Sequence, residues 1–116
     1  MLTMYGISSC DSCKAAKRWL EKHKIKFEFH DLRKDGLEIQ MLERWSTNIG
    51  WEKLLNKRSL TWRRIPEADR DNLSQARAIA LMLENPTVIK RPVLERGKFV
   101  GVGFAPEGYA RVFKTG

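Results

Sequence analysis

The stretch Leu2-Thr3-Met4-Tyr5-Gly6-Ile7-Ser8-Ser9-Cys10-Asp11-Ser12-Cys13-Lys14-Ala15-Ala16 decides how the rest of the chain is read. An apolar run at Leu2 to Tyr5 stops at Gly6 and reads as a short strand. Ser8, Ser9 and Asp11 then supply cap chemistry for a helix running to about His23. Ala15, Ala16, Trp19 and Leu20 form its apolar stripe, while Lys14, Lys17, Arg18 and Lys22 make the other side positive. The chain's two cysteines, Cys10 and Cys13, sit where the strand hands over to the helix.

That position gives them chemistry. A thiolate is the nucleophile, and a thiol with a pKa near ~8.5 is mostly protonated at neutral pH unless something stabilises the anion. The unpaired N–H groups and partial positive charge of a helix N-terminus do so, which predicts a depressed pKa for Cys10, with Lys14 one turn on adding to the effect. Cys13 lies one helical turn from Cys10, within reach of a disulfide, and reads as a resolving thiol. A bridge between them would close a loop of only a few residues, so the pair is chemical rather than a structural staple. Zinc is not expected, because His23 and His30 show no ligand spacing to the cysteines.

Working outward, Ile25 to His30 alternates apolar and polar residues with period two, as a strand does, so the first thirty residues read strand, helix, strand. Leu37, Met41, Leu42 and Trp45 recur at helical spacing up to Asn48-Ile49-Gly50, a helix stop, and Trp51 to Asn56 is a further helical turn. A polar loop through Pro66 follows. Leu73, Ala76, Ile79, Ala80 and Leu83 define another amphipathic helix, ended by Asn85-Pro86. Val93-Leu94, the turn at Arg96-Gly97 and Phe99 to Val102 read as a hairpin, and Pro106 opens a last helix with Tyr109, Val112 and Phe113 facing inward. The order is that of an α/β, thioredoxin-like fold with a mixed four-stranded sheet and an inserted helical segment at about 36–85, in one domain over 1–116.

The 116 residues carry a net charge of +8 and 42% apolar content, enough for one compact domain without repeats or linkers. No apolar run approaches the ~18–20 residues needed to cross a bilayer, and the N-terminus lacks a basic region followed by a long apolar stretch, so a soluble cytoplasmic protein is expected. A pI near 9.8 suits nucleic acid, an acidic protein partner or a small oxyanion equally. Lys90, Arg91, Arg96 and Lys98 crowd one hairpin, where a guanidinium can hold an oxyanion by forked hydrogen bonds. X-Pro bonds are cis in only about 5–6% of folded cases, so Pro92 read alone is a trans residue at a strand start.

Tyr5-Gly6-Ile7, Cys10-Asp11, Phe29-His30-Asp31, Asp35-Gly36, Gly50-Trp51, Leu54-Leu55-Asn56, Thr61-Trp62-Arg63, Ile89-Lys90-Arg91-Pro92 and Val102-Gly103-Phe104 together resemble the ArsC family. That family includes glutaredoxin-coupled arsenate reductases, the Spx regulators and the small YffB-like proteins, and the likeness is greatest to the YffB-like branch. The resemblance implies a nucleophilic Cys10, an active-site arginine at Arg91 and a cis peptide at Pro92. Two further arginine positions of the arsenate reductases fall on Asn56 and Phe104, and a histidine position falls on Gly6; Arg58, near Asn56, is the remaining candidate for an anion contact. Each missing charge-assisted contact is worth ~1.5–3 kcal/mol, which places arsenate reduction below other thiol chemistry. Cys13 departs in the other direction, because YffB-like proteins commonly lack a cysteine there, whereas Spx uses such a pair as a redox switch.

Three functions follow. The first is a glutathione-linked thiol reductase with Cys10, Cys13 and Arg91 as its catalytic residues, glutathione as co-substrate without a metal, and Lys14, Arg91, Pro92 and Arg58 around the anionic substrate; glutaredoxin is a candidate partner. The second is an Spx-like regulator that binds the RNA polymerase α subunit. The third, direct nucleic-acid binding through Lys14, Lys17, Arg18 and Lys22 and through Lys57-Arg58 with Arg63-Arg64 beside Trp62, is not favoured, since Trp62 reads better as a packing residue and charge runs usually form a solvated face.

Overall fold

A computed structural model describes residues 1–114, and these divide into two compact units: one of Met1–Asp35 together with the segment from Arg91, the other of Gly36–Lys90. The first holds β1 (Leu2–Gly6), α1 (Asp11–Lys22), β2 (Phe27–Asp31), β3 (Val93–Arg96), β4 (Phe99–Val102) and α7 (Pro106–Phe113). Its strands form one mixed sheet in the order β2-β1-β3-β4. β1 pairs in parallel with β2, from Leu2↔Phe27 to Gly6↔Asp31, and antiparallel with β3, which turns back into β4. This is the thioredoxin-like α/β arrangement that the strand-helix-strand and hairpin patterns predict.

Period-two alternation puts Leu2, Met4 and Leu94 on one face of the sheet, where they form a core with Ala16, Leu20 and Tyr109. Each fully buried Leu or Met among them stabilises the fold by about 1.5–3 kcal/mol. β2 starts two residues later than the alternation predicts. Lys24, at φ 57, is the left-handed residue after α1, and the Lys24 and Ile25 amides donate to the Glu21 and Leu20 carbonyls, so helix-capping bonds occupy the residue that looked like the first of the strand. Lys17 departs from the solvated face as well: its Nζ lies 3.4 Å from the centroid of the Phe29 ring. In α7 Tyr109 is buried, but Val112 is 37% exposed and does not face inward.

The second unit holds α2 (Ile39–Ile49), α3 (Trp51–Leu54), α4 (Leu60–Arg64), α5 (Glu67–Arg70), α6 (Gln75–Glu84) and a 3-10 turn at Pro86–Val88. Gly50, at φ 91, ends α2 and donates its N–H to the Ser46 carbonyl, a conformation that favours glycine. The expected polar loop before Pro66 contains α4 instead, because the Ser59 hydroxyl accepts the Trp62 N–H and caps a new helix. The buried face of α6 is Ala78, Ile79 and Met82; of the predicted stripe only Ile79 belongs to it, and Ala76, Ala80 and Leu83 are exposed. Helix α2 buries Leu42 and Trp45 and packs on α6. The stretch that leads to Arg91 is tied down inside this unit, the Asn56 amide donating to Val88 and the Lys90 amide to Leu54, both at 2.7 Å. Among the described residues no helix is long and apolar enough to cross a membrane.

Candidate active site

The site is assembled at the C-terminal end of β1. Beyond Gly6 the chain makes a tight turn, Ile7-Ser8-Ser9-Cys10, closed by a 3.0 Å bond from the Cys10 N–H to the Ile7 carbonyl. Cys10 is the N-cap residue of α1, with φ −76 and ψ 126, and its carbonyl accepts the Lys14 N–H to start the helix. Its side chain is half-buried, so the sulfur stands at the helix mouth with access to solvent.

Both cysteines are free thiols. Burial pushes the Cys10 thiol up, but other contacts outweigh it: the Cys13 backbone N–H bonds to the Cys10 sulfur, and the Arg91 guanidinium both bonds to it and attracts its charge, with the Cys13 thiol adding a further bond. The net result lies below the ordinary thiol value, as the helix-mouth argument predicts. Cys13 goes the other way. It is 0% exposed, and burial drives its thiol up to about 11, opposed by the Ile7 amide and reinforced by the charge of Cys10. The two sulfurs are thus within hydrogen-bonding reach of each other, one inclined to ionise and the other held protonated.

Arg91 and Pro92 enter this site from the far end of the chain. The Arg91–Pro92 peptide is cis, as the family resemblance implied and X-Pro frequencies did not. The Pro92 carbonyl accepts the Gly103 N–H at 2.9 Å, and the Gly103 carbonyl accepts the Tyr109 hydroxyl at 3.4 Å, so β4 and α7 brace the arginine segment. Lys14 is exposed on α1. Arg58 belongs to the helical unit, exposed, with its N–H on the Asn56 Oδ1 at 3.1 Å. Trp62 is a packing residue: it is buried, and Lys57 and Arg70 of its own unit lie over its ring.

Two functional positions escape a reading of the residues alone. An ideal Cβ placed on Gly6 would collide with the Cys13 sulfur, so the glycine is needed where a second cysteine is buried behind it. Asp31, at the end of β2, accepts the Ser8 N–H and hydroxyl on one oxygen, at 3.0 and 2.5 Å, and the Arg33 and Lys34 amides on the other. The Ser8 hydroxyl holds its carboxyl far below the usual range; burial opposes this, and the three amides outweigh it. The only local signal for that pairing is a serine in the turn and an aspartate closing the next strand.

The model of the ArsC family matches residues 5–112. An uncharacterized protein of Haemophilus influenzae is 43% identical over 114 residues, 97% of this chain and 99% of its own. The global transcriptional regulator Spx of Enterococcus faecalis is 33% identical over 106 residues, 90% of this chain and 80% of its own. Among solved structures, the YffB protein superposes with a TM-score of 0.91 at 43% identity, covering 96% of this chain and 97% of that one. An arsenate reductase (ArsC) related protein from Brucella melitensis gives 0.80 at 46% identity, covering 97% and 94%.

Proposed function

Because the chain belongs to the ArsC family, we propose that it is a glutathione-linked thiol reductase with Cys10 as its nucleophile. The observation that carries this reading is the opposed pair of sulfurs: a half-buried Cys10 under Arg91 and the Cys13 amide, beside a fully buried, protonated Cys13. In the first step the Cys10 thiolate attacks one sulfur of a disulfide substrate, forms a mixed disulfide and expels the other sulfur as a thiolate. Cys13 then gives up its proton to solvent and attacks the Cys10 sulfur, so that a Cys10–Cys13 disulfide forms and the second substrate thiolate leaves. Two glutathione molecules reduce that disulfide in turn and end as oxidised glutathione, so the substrate gains the two electrons that glutathione loses. Glutathione also resolves the mixed disulfide directly where Cys13 does not. Its carboxylates fit the basic surroundings, with Arg91 at the sulfur and Lys14 exposed one turn away.

The test is thiol-disulfide exchange with oxidised glutathione, followed for the wild type and for Cys10→Ser. Exchange confined to the wild type is expected. Equal rates in the two proteins overturn the proposal.

A second reading is supported by the Spx relatives and by the cysteine pair itself: a regulator whose disulfide state sets its affinity for the α subunit of RNA polymerase. Capture of that subunit's C-terminal domain that changes between oxidising and reducing conditions favours it, and capture in neither condition removes it. Arsenate reduction has less support, since Asn56, Phe104 and Gly6 stand at positions where the resemblance calls for two arginines and a histidine.

A further inference from the structure

Asp31 carries a charge into a place where only 4% of its surface reaches solvent, and it is placed to govern the redox turn. In the sheet it lies opposite Gly6, and the Leu32 N–H donates to the Gly6 carbonyl at 2.8 Å, so the ends of β1 and β2 are locked together at the base of the turn. Its own N–H donates to the Asp35 carboxylate at 2.9 Å. Its Oδ2 takes both donors of Ser8, and Oδ1 takes the Arg33 and Lys34 amides, so both oxygens are occupied by groups that favour the anion.

Ser8 is the second residue of the turn whose first residue, Ile7, offers its amide to the Cys13 sulfur and whose last residue is Cys10. Both sulfurs therefore hang from a turn that one carboxylate pins. We propose that Asp31 is a positioning residue for the redox centre: acting through Ser8, it holds the Ile7–Cys10 turn where the Cys10 sulfur meets the Cys13 amide and Arg91. The inference rests on the reading of Cys10 as the nucleophile, and its own content is the route by which that nucleophile is held.

The sign of the effect separates this role from two simpler ones. A carboxylate acting only through its field disfavours a nearby thiolate, so its removal would lower the titration midpoint of Cys10. A carboxylate that only stabilises the fold would change the unfolding midpoint and leave the titration alone. A positioning role raises the titration midpoint when the carboxylate is lost, because the sulfur moves off its donors. Asp35, Arg33 and Lys34 around Asp31, and Arg91 and Cys13 around Cys10, are all retained in the variants proposed, so the change is confined to the pin.

The experiment measures alkylation of Cys10 against pH in the full chain, with mass spectrometry to locate the label, alongside urea unfolding. The variants are Asp31→Asn, which keeps the size but turns an acceptor oxygen into a donor, Ser8→Ala and Ser8→Thr. At a pH well below the wild-type midpoint, a rise of one unit leaves about a tenth of the thiolate, each about threefold more nucleophilic, so alkylation at that pH falls about threefold. That fall is expected for Asp31→Asn, a smaller one for Ser8→Ala, and recovery for Ser8→Thr, which keeps the hydroxyl. A folded Asp31→Asn protein whose profile superposes on the wild type, or moves down in pH, overturns the inference. Should Asp31→Asn fail to fold, Ser8→Ala decides by the same criterion, since it removes one bond and no charge. Wild-type Cys10 that reacts no faster than a model thiol removes instead the reading of Cys10 as an activated nucleophile.

Discussion

The mouth and the floor of the redox turn contain the same functional group with its proton affinity shifted in opposite directions. At the mouth, Cys10 and Arg91 are half-exposed, and the sulfur is surrounded by donors that favour its anion. At the floor, one helical turn away, Gly6, Ile7 and Cys13 are buried, and Tyr109 is buried too, its hydroxyl pushed up in pKa by burial and by the charge of Cys13. Chemical identity does not set the reactivity of a thiol here; the count of donors against the cost of desolvation does. The contrast also orders the reaction. A protonated floor sulfur does not compete for substrate, and it becomes useful once Cys10 has been consumed in a mixed disulfide.

The largest expected effect comes from filling the floor. Gly6→Ala forces its Cβ onto the Cys13 sulfur, with Phe29 also in contact, and this overpacking costs about 1–3 kcal/mol. Because the backbone at Gly6 is ordinary strand, the cost is packing and not conformation, so Gly6→Ala combined with Cys13→Ala recovers most of it. Urea unfolding of the two single variants and the double variant gives the coupling directly. Additive losses would show that the two residues do not share the space.

The difference between mouth and floor was only half legible in the sequence. Cys10 could be found from a strand-to-helix handover, because helix-terminus electrostatics is a local property, whereas the basic hairpin offered Lys90, Arg91, Arg96 and Lys98 together and only the family resemblance singled out Arg91. Gly6 and Asp31 could not be found, because their meaning is a contact with Cys13 and Ser8 across the fold. The same division runs through the secondary structure. The strand-helix-strand start and the hairpin follow from short-range periodicity and glycine placement. Helix α6 reads Gln-Ala-Arg-Ala-Ile-Ala-Leu-Met-Leu-Glu, apolar nearly all round, so periodicity alone does not choose between the face at Ala76, Ala80 and Leu83 and the one that is buried. Helix α4 hides among Lys57, Arg58, Arg63 and Arg64, with only the Ser59 cap and the buried pair Trp62 and Ile65 to mark it.

An intermediate effect is expected on the alkaline side. The Cys13 thiol titrates at about 11 in the folded protein, above the ~8.5 of a free cysteine, so the unfolded chain loses this proton first as pH rises. Stability from this group is complete below about pH 8.5 and is lost between there and the folded value. Cys13→Ala removes that part of the decline in urea titrations repeated across this window. The accompanying sign at the mouth is opposite: Cys10, lowered in the folded state, gains stability as pH rises from its folded pKa to the ~8.5 of the unfolded chain and nothing above it, so Cys10→Ala removes that rise below about pH 8.5. Identical slopes for the two variants would mean that mouth and floor do not differ in the way described.

The smallest effect isolates Arg91 at the mouth. Arg91→Met keeps much of the side-chain length and removes both the hydrogen bond to the Cys10 sulfur and the positive charge beside it. The titration midpoint of Cys10 alkylation then rises. At a pH well below the wild-type midpoint, a one-unit rise cuts the thiolate fraction about tenfold while each thiolate becomes about threefold more nucleophilic, so the observed rate falls only about threefold. Reaction with oxidised glutathione falls further than reaction with a neutral alkylating agent, because the anionic substrate loses its contact as well. Arg91→Lys separates the two contributions: it keeps the charge and loses the planar fork, so an effect due to charge alone is largely restored and one due to the bond is not. Equal losses with the neutral and the anionic reagent would confine Arg91 to tuning the thiol and leave substrate capture to other residues.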